Sequence, residues 1–196
     1  AFTLLLPKES AMSFLSALWL PILVSAVGVF VASSLLHMVL KYHHNDYRPI
    51  PDEDKFLAAI RPANLRPGLY VFPYCLPKDM KSPAAIEKYK QGPVGFMTVI
   101  PSGPPAMPKF LIMWFGYCLL ISIFVGYITW HTDVFGRPHR AIFHVAAVSA
   151  FLAYGVAQLV NVVWKGQRWP AMIKDLFDAF IYALVTAVAF AHLWPH

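Results

Sequence analysis

The sequence predicts an all-α membrane protein: four transmembrane helices, with a small α+β cytoplasmic domain inserted between helices 1 and 2. Three observations predict it. Of the 196 residues, 58% are hydrophobic and only 13% are charged, against ~25% in ordinary soluble domains. Four nearly charge-free runs are each about as long as a bilayer is thick, so lipid is the simplest solvent for them. Polar character concentrates in residues 41–109, which hold ten of the sixteen Lys and Arg and twelve of the seventeen prolines.

Residues 1–40 read as an N-terminal tail, an interfacial segment and helix 1. The first ten residues lack the basic start and small-residue cleavage pattern of a signal peptide, and removal of a methionine ahead of Ala1 is the expected origin of this start. The run from Ala11 to Leu40 has no charged residue and exceeds the ~20 residues a span needs. Pro21 offers two readings. Either an interfacial piece, Ser13 to Leu20, precedes a span that starts at Pro21, or one helix runs through and kinks there. Gly28 and Ala32, four apart, form a small patch for close helix contact.

Residues 41–109 are expected to be ordered despite their prolines. Asp52-Glu53-Asp54 opens a short amphipathic helix that Arg61 ends and Pro62 stops. Ser82-Pro83 can cap and start a second, ending near Gln91-Gly92. Leu69 to Tyr74 and Val94 to Ile100 are strand-like, rich in β-branched and aromatic residues between Gly and Pro. Residues 110–196 supply helices 2 to 4, at about 110–130, 141–164 and 172–194. Asp175 and Asp178 are placed in the first turns of helix 4, where negative charge complements the helix dipole. Ala179, Ala183, Ala187 and Ala191 recur every fourth residue as a helix-packing seam, and Ala146, Ala150, Ala153 and Ala157 repeat the pattern on helix 3. Helices 3 and 4 are therefore expected to pair antiparallel.

Lys and Arg near the span ends set the orientation. Eight flank the 41–109 side and three, Lys8, Arg137 and Arg140, the other. That bias puts the inserted domain in the cytoplasm and both termini in the periplasm. The formal charge of +6 lies beside apolar runs, so anionic lipid headgroups are the expected counter-charge and nucleic acid is not. Cys75 and Cys118 form no CxxC pair, which excludes a disulfide framework or zinc ribbon.

Soluble-enzyme motifs are missing, so no catalytic residue is assigned. The eight histidines divide by side. His37, His43 and His44, with Asp46, lie near the cytoplasmic end of helix 1. His131, Asp133, His139, His144, His192 and His196 map to the outer ends of helices 2 to 4. There His131, Asp133 and His139 are the candidate zinc or copper ligands, and His144 with His192 is the candidate haem pair at comparable depth. A single histidine on a chlorophyll-type pigment is a further option. The same residues also read as interfacial histidines making loop hydrogen bonds. Tyr154, Gln158 and Asn161 follow a three-to-four spacing on helix 3, either as interhelical hydrogen-bond glue or as the lining of a polar pathway. No charged residue is placed deep inside a span, which argues against a proton-coupled transporter.

The segments His37 to Tyr47, Pro51 to Asp54, Arg66 to Pro73 and Gly92 to Val99 resemble a group of bacterial integral-membrane proteins of similar length to which no activity is assigned. The resemblance covers most of the chain from Ser13 onward and implies a bacterial inner-membrane setting. It brings no site residues. The function expected is a non-catalytic membrane subunit or scaffold, either self-associating or accessory to other membrane-protein subunits. The rival is a cofactor- or metal-binding membrane protein using the outer-side histidines. A passive channel or lipid-binding protein lined by Tyr154, Gln158 and Asn161 comes third.

Overall fold

The computed structural model describes residues 11–132 and 138–195. Lys8 and Arg137 of the orientation count, and Asp133 and His196 among the outer candidates, lie outside the described residues. The chain forms two compact units: residues 1–44, 106–159 and 169–196 in one, residues 45–105 and 160–168 in the other.

The larger unit is a helix bundle. Helix α1 spans Ala11–Ser34 and continues as a π-helical turn, Leu35–Val39. It runs unbroken through the buried Pro21, which favours the single-helix reading over an interfacial segment followed by a new helix. Because α2 and α3 belong to the other unit, the next bundle helix is α4, Met107–His131, with Pro108 in its first turn where no N–H is needed. Helix α5 is His139–Tyr154, followed by a 3-10 turn, Val156–Gln158, and α6, Leu159–Lys165. Helix α7 is Trp169–Leu193. Four stretches are long and apolar enough to cross a membrane: Phe14–Val39, Met107–His131, His139–Lys165 and Trp169–Leu193. The chain is mostly helical, with the build of a multi-pass membrane protein.

Helix α1 packs on α4 and α7, and α5 packs on the same two, closing a four-helix square. Contacts along the pairs give the directions. Phe14 meets Tyr127, Ser25 meets Ser122 and Ser33 meets Trp114, so α1 and α4 are antiparallel. Trp130 meets Trp194, so α4 and α7 run the same way. Small residues let the backbones approach, since lipid supplies no hydrophobic drive between helices. Ala146, Ala150, Ala179, Ala183, Ala187 and Ala191 are all buried inside the chain's own bundle. A Cβ on Gly28 would sit 2.7 Å from Val185 Cγ1, and one on Gly155 would sit 2.8 Å from Ala179 Cβ. Beyond Ser16 the outward face of α1 is apolar, with Leu23, Val27, Val31 and Leu35 exposed as lipid requires.

Two sequence-based boundaries change. Helix α7 starts at Trp169, with Pro170 in its first turn, so Asp178 lies more than two turns inside the helix and is buried. It is too far from the helix start to serve the dipole. The third span is not one regular helix either, because Gly155 ends α5 and a 3-10 turn intervenes before α6. A shared face for Tyr154, Gln158 and Asn161 requires an unbroken 3.6-residue repeat, which the turn interrupts.

The smaller unit is built around a two-stranded antiparallel sheet, β1 Gly68–Phe72 and β2 Gly95–Val99. Helix α2, Glu53–Ile60, begins with its acids and passes into a 3-10 turn at Arg61–Ala63. Helix α3, Pro83–Gln91, starts where Ser82 accepts a hydrogen bond from the Ala85 N–H and ends at Gly92, whose φ of 60° is open to glycine without strain. The register pairs Leu69 with Thr98 and Val71 with Phe96, so these four share a face, and all four are exposed. Tyr70, Phe72, Met97 and Val99 form the opposite, half-buried face.

Candidate functional site

At the end of α1 the backbone departs from regular helix twice. The π turn closes with Leu40 N–H donating to Leu35 O at 3.2 Å, and Lys41 then adopts a left-handed φ of 51°. A non-glycine residue there is uncommon and strained by ~1–3 kcal/mol, so the surroundings must hold it. The consequence is local and specific. In a regular helix His37 and His43, six residues apart, would point about 120° apart. The widened turn and the reversal at Lys41 instead stack their rings, with centroids 4.5 Å apart and planes within 4°.

Both imidazoles face Asp178 of α7. His43 Nε2 lies 3.0 Å and His37 Nε2 3.6 Å from the same carboxylate oxygen, Oδ2. The Tyr42 hydroxyl donates to the other oxygen, Oδ1. Lys174, one turn earlier on α7, donates to the Tyr42 carbonyl at 2.7 Å and anchors the corner. The His37 Nδ1–H donates to Ser33 O at 3.1 Å, which turns Nε2 toward Asp178. Exposure falls from one side of the cluster to the other: the side chains of His37, His43 and Asp178 are 51%, 15% and 4% exposed. A carboxylate this buried is tolerable only with such partners, because desolvating an unpaired charge is costly. Among the described residues, His37, His43 and Asp178 are the one group of three with metal-ligand chemistry, their ligand atoms all within 4.8 Å of one another.

The outer-end histidines are not gathered in this way. His131, His139, His144 and His192 are each exposed. His144 falls two residues from both Ile142 and Ala146, and His192 two residues from both Phe190 and Trp194. Those four neighbours are buried, and a step of two residues turns a helix by about 200°. Both imidazoles therefore lie on the exposed sides of their helices. His131 and His192 turn Nδ1 to the carbonyls of Tyr127 and Val188 on their own helices.

The polar residues of the third span serve packing in part. Tyr154 is buried, its ring edge-on to Tyr117 and Tyr182, with its hydroxyl 3.5 Å from the Cys118 carbonyl. Gln158 shares a side-chain hydrogen bond with Tyr117, and Asn161 lies in the smaller unit. The contribution of Asp178 was hidden in the sequence, where it reads as a helix-start acid. The signal that points to it is a carboxylate at the edge of an apolar helical run, opposite a histidine-rich helix end. No protein-family model, curated protein or solved structure matches the chain.

Proposed function

We propose that this chain is a non-catalytic membrane subunit, a scaffold whose helix bundle carries the segment 45–105 as a docking surface for another subunit of a membrane complex. One observation carries the reading. The bundle uses its small and polar residues on itself, whereas the small sheet of the other unit leaves Leu69, Val71 and Phe96 exposed on one face. A two-stranded sheet is marginal alone, so an apolar face of this kind gains most by being covered. The alanine seam of α7 is closed within the chain, so assembly is assigned to the sheet and not to that seam. The Tyr42–His43–Asp178 cluster supports the same role by fastening to α7 the point at which the chain leaves the bundle.

The charge bias of eight cations against three favours a cytoplasmic position for this segment, periplasmic termini and contact with anionic lipid in a bacterial inner membrane. The test is a gentle detergent extraction from the native membrane, with mass and composition measured on one peak. The expected result is a species well above the 22.0 kDa of one chain, reduced to one chain by Leu69→Asp with Phe96→Asp. A wild-type peak at one chain mass with no companion would reject the proposal.

A further inference from the structure

We propose that His37, His43 and Asp178 bind one divalent transition-metal ion of the zinc class, a site independent of the docking role. The donor set is the first argument. Two neutral imidazoles and one carboxylate suit Zn²⁺, Co²⁺, Ni²⁺ or Cu²⁺; Mg²⁺ and Ca²⁺ require shells of oxygen, and Cu⁺ favours sulfur. Catalytic-type zinc sites use three protein ligands of these kinds and keep a fourth position open.

Spacing is the second argument. Tetrahedral bonds of ~2.05 Å place neighbouring ligand atoms ~3.3 Å apart. The separations here, 3.0 Å from His43 Nε2 and 3.6 Å from His37 Nε2 to Asp178 Oδ2, bracket that value. To converge on one ion the stacked rings tilt apart, and His37, half exposed, has the room to move.

The surrounding groups are the third. Metal-bound histidines are normally oriented by a partner on the other ring nitrogen, and Ser33 O occupies that place for His37. The Tyr42 hydroxyl takes Oδ1 of Asp178 and leaves Oδ2 turned to both imidazoles. Lys174 donates to the Tyr42 carbonyl at 2.7 Å and so fixes the backbone beside His43. An ion there would join the end of α1, the corner at residues 42–43 and the middle of α7. Its open side is the half-exposed edge at His37, from which an ion arrives and where water completes the shell.

The experiment uses the full-length, untagged protein in detergent, stripped with chelator and titrated with Co²⁺ by absorption and with Zn²⁺ by competition. Binding of one ion per chain is expected. His37→Ala and His43→Ala should each weaken it by ~100-fold, and Tyr42→Phe, which removes an outer partner, by ~10-fold. Affinity should fall on acidification, because protons compete with the ion for its ligand atoms. His131→Ala with His139→Ala should leave it unchanged. The inference is overturned by absence of saturable binding, by wild-type affinity in both His37→Ala and His43→Ala, or by loss confined to the His131 and His139 variant. Asp178→Asn is not relied upon, since it disturbs a buried group that the fold also uses.

Discussion

Gly155 is a point of close approach in the bundle, and Gly155→Ala measures how closely α5 and α7 depend on it. A Cβ at this position would lie 2.8 Å from Ala179 Cβ, 3.2 Å from Leu176 Cδ2 and 3.2 Å from the Phe151 carbonyl oxygen. Carbon atoms in good contact sit ~3.5–4.0 Å apart, so the helices must separate by nearly 1 Å or bend. Ala179 Cβ has no torsion with which to yield, and the Phe151 oxygen is backbone. Overpacking of this kind costs ~1–3 kcal/mol, while replacing glycine restricts the unfolded chain and returns up to ~1 kcal/mol. The net expectation is a loss of ~1–2 kcal/mol, about a five- to thirty-fold change in the folded ratio. Unfolding in mixed micelles of rising SDS fraction, followed by circular dichroism, gives the number. Ala179→Gly supplies the control: it removes the opposing atom, so the double variant should be more stable than the two single losses predict by ~1–2 kcal/mol. The propensity terms cancel in that cycle. Additivity of the two changes within ~0.5 kcal/mol would refute the close approach of α5 and α7 at this point.

Three further outcomes follow from the same packing. Tyr182 Oη and Thr186 Oγ1 are buried without a hydrogen-bond partner, so Tyr182→Phe and Thr186→Val should leave stability unchanged or raise it by up to ~1 kcal/mol. A clear fall in the same micelle assay would reveal a structural water between them. Ser25→Ala removes the 2.9 Å hydrogen bond to Ser122 that links α1 and α4, and should cost ~0.6 kcal/mol, with no added loss from a second change at Ser122. A fully additive double variant would contradict the pairing. In the smaller unit, Ser82→Ala deletes the cap on α3 at a cost of ~1 kcal/mol. Hydrogen exchange should then speed in α3 while the bundle amides stay as they were; equal exchange in α3 would show that the cap contributes nothing.

The parts of this protein readable from the sequence are those governed by local chemistry. Four spans follow from run length and charge exclusion, since ~20 apolar residues have no better solvent than lipid. The cap at Ser82-Pro83 and the two strands follow from residue types that prefer those conformations over short stretches. The alanine repeat of α7, and Ala146 and Ala150 of α5, lie on faces that become buried in the bundle, whereas Ala153 is half-buried and Ala157, in the 3-10 turn, is exposed.

What only the tertiary structure decided is where those faces and polar groups meet. His37 and His43 come together through a π turn and a left-handed Lys41, neither of which residue preference signals. Asp178 joins them from more than 130 positions away, and its role depends on α7 beginning a full turn or more ahead of its most apolar stretch. Among the described residues, the outer histidines form no comparable group of three ligand atoms. The physical reason is range. Solvent preference and turn chemistry act over a few neighbouring residues and are written there. Convergence of ligand atoms within a few ångströms depends on the rotation, register and ends of separate helices, which are settled when the bundle packs.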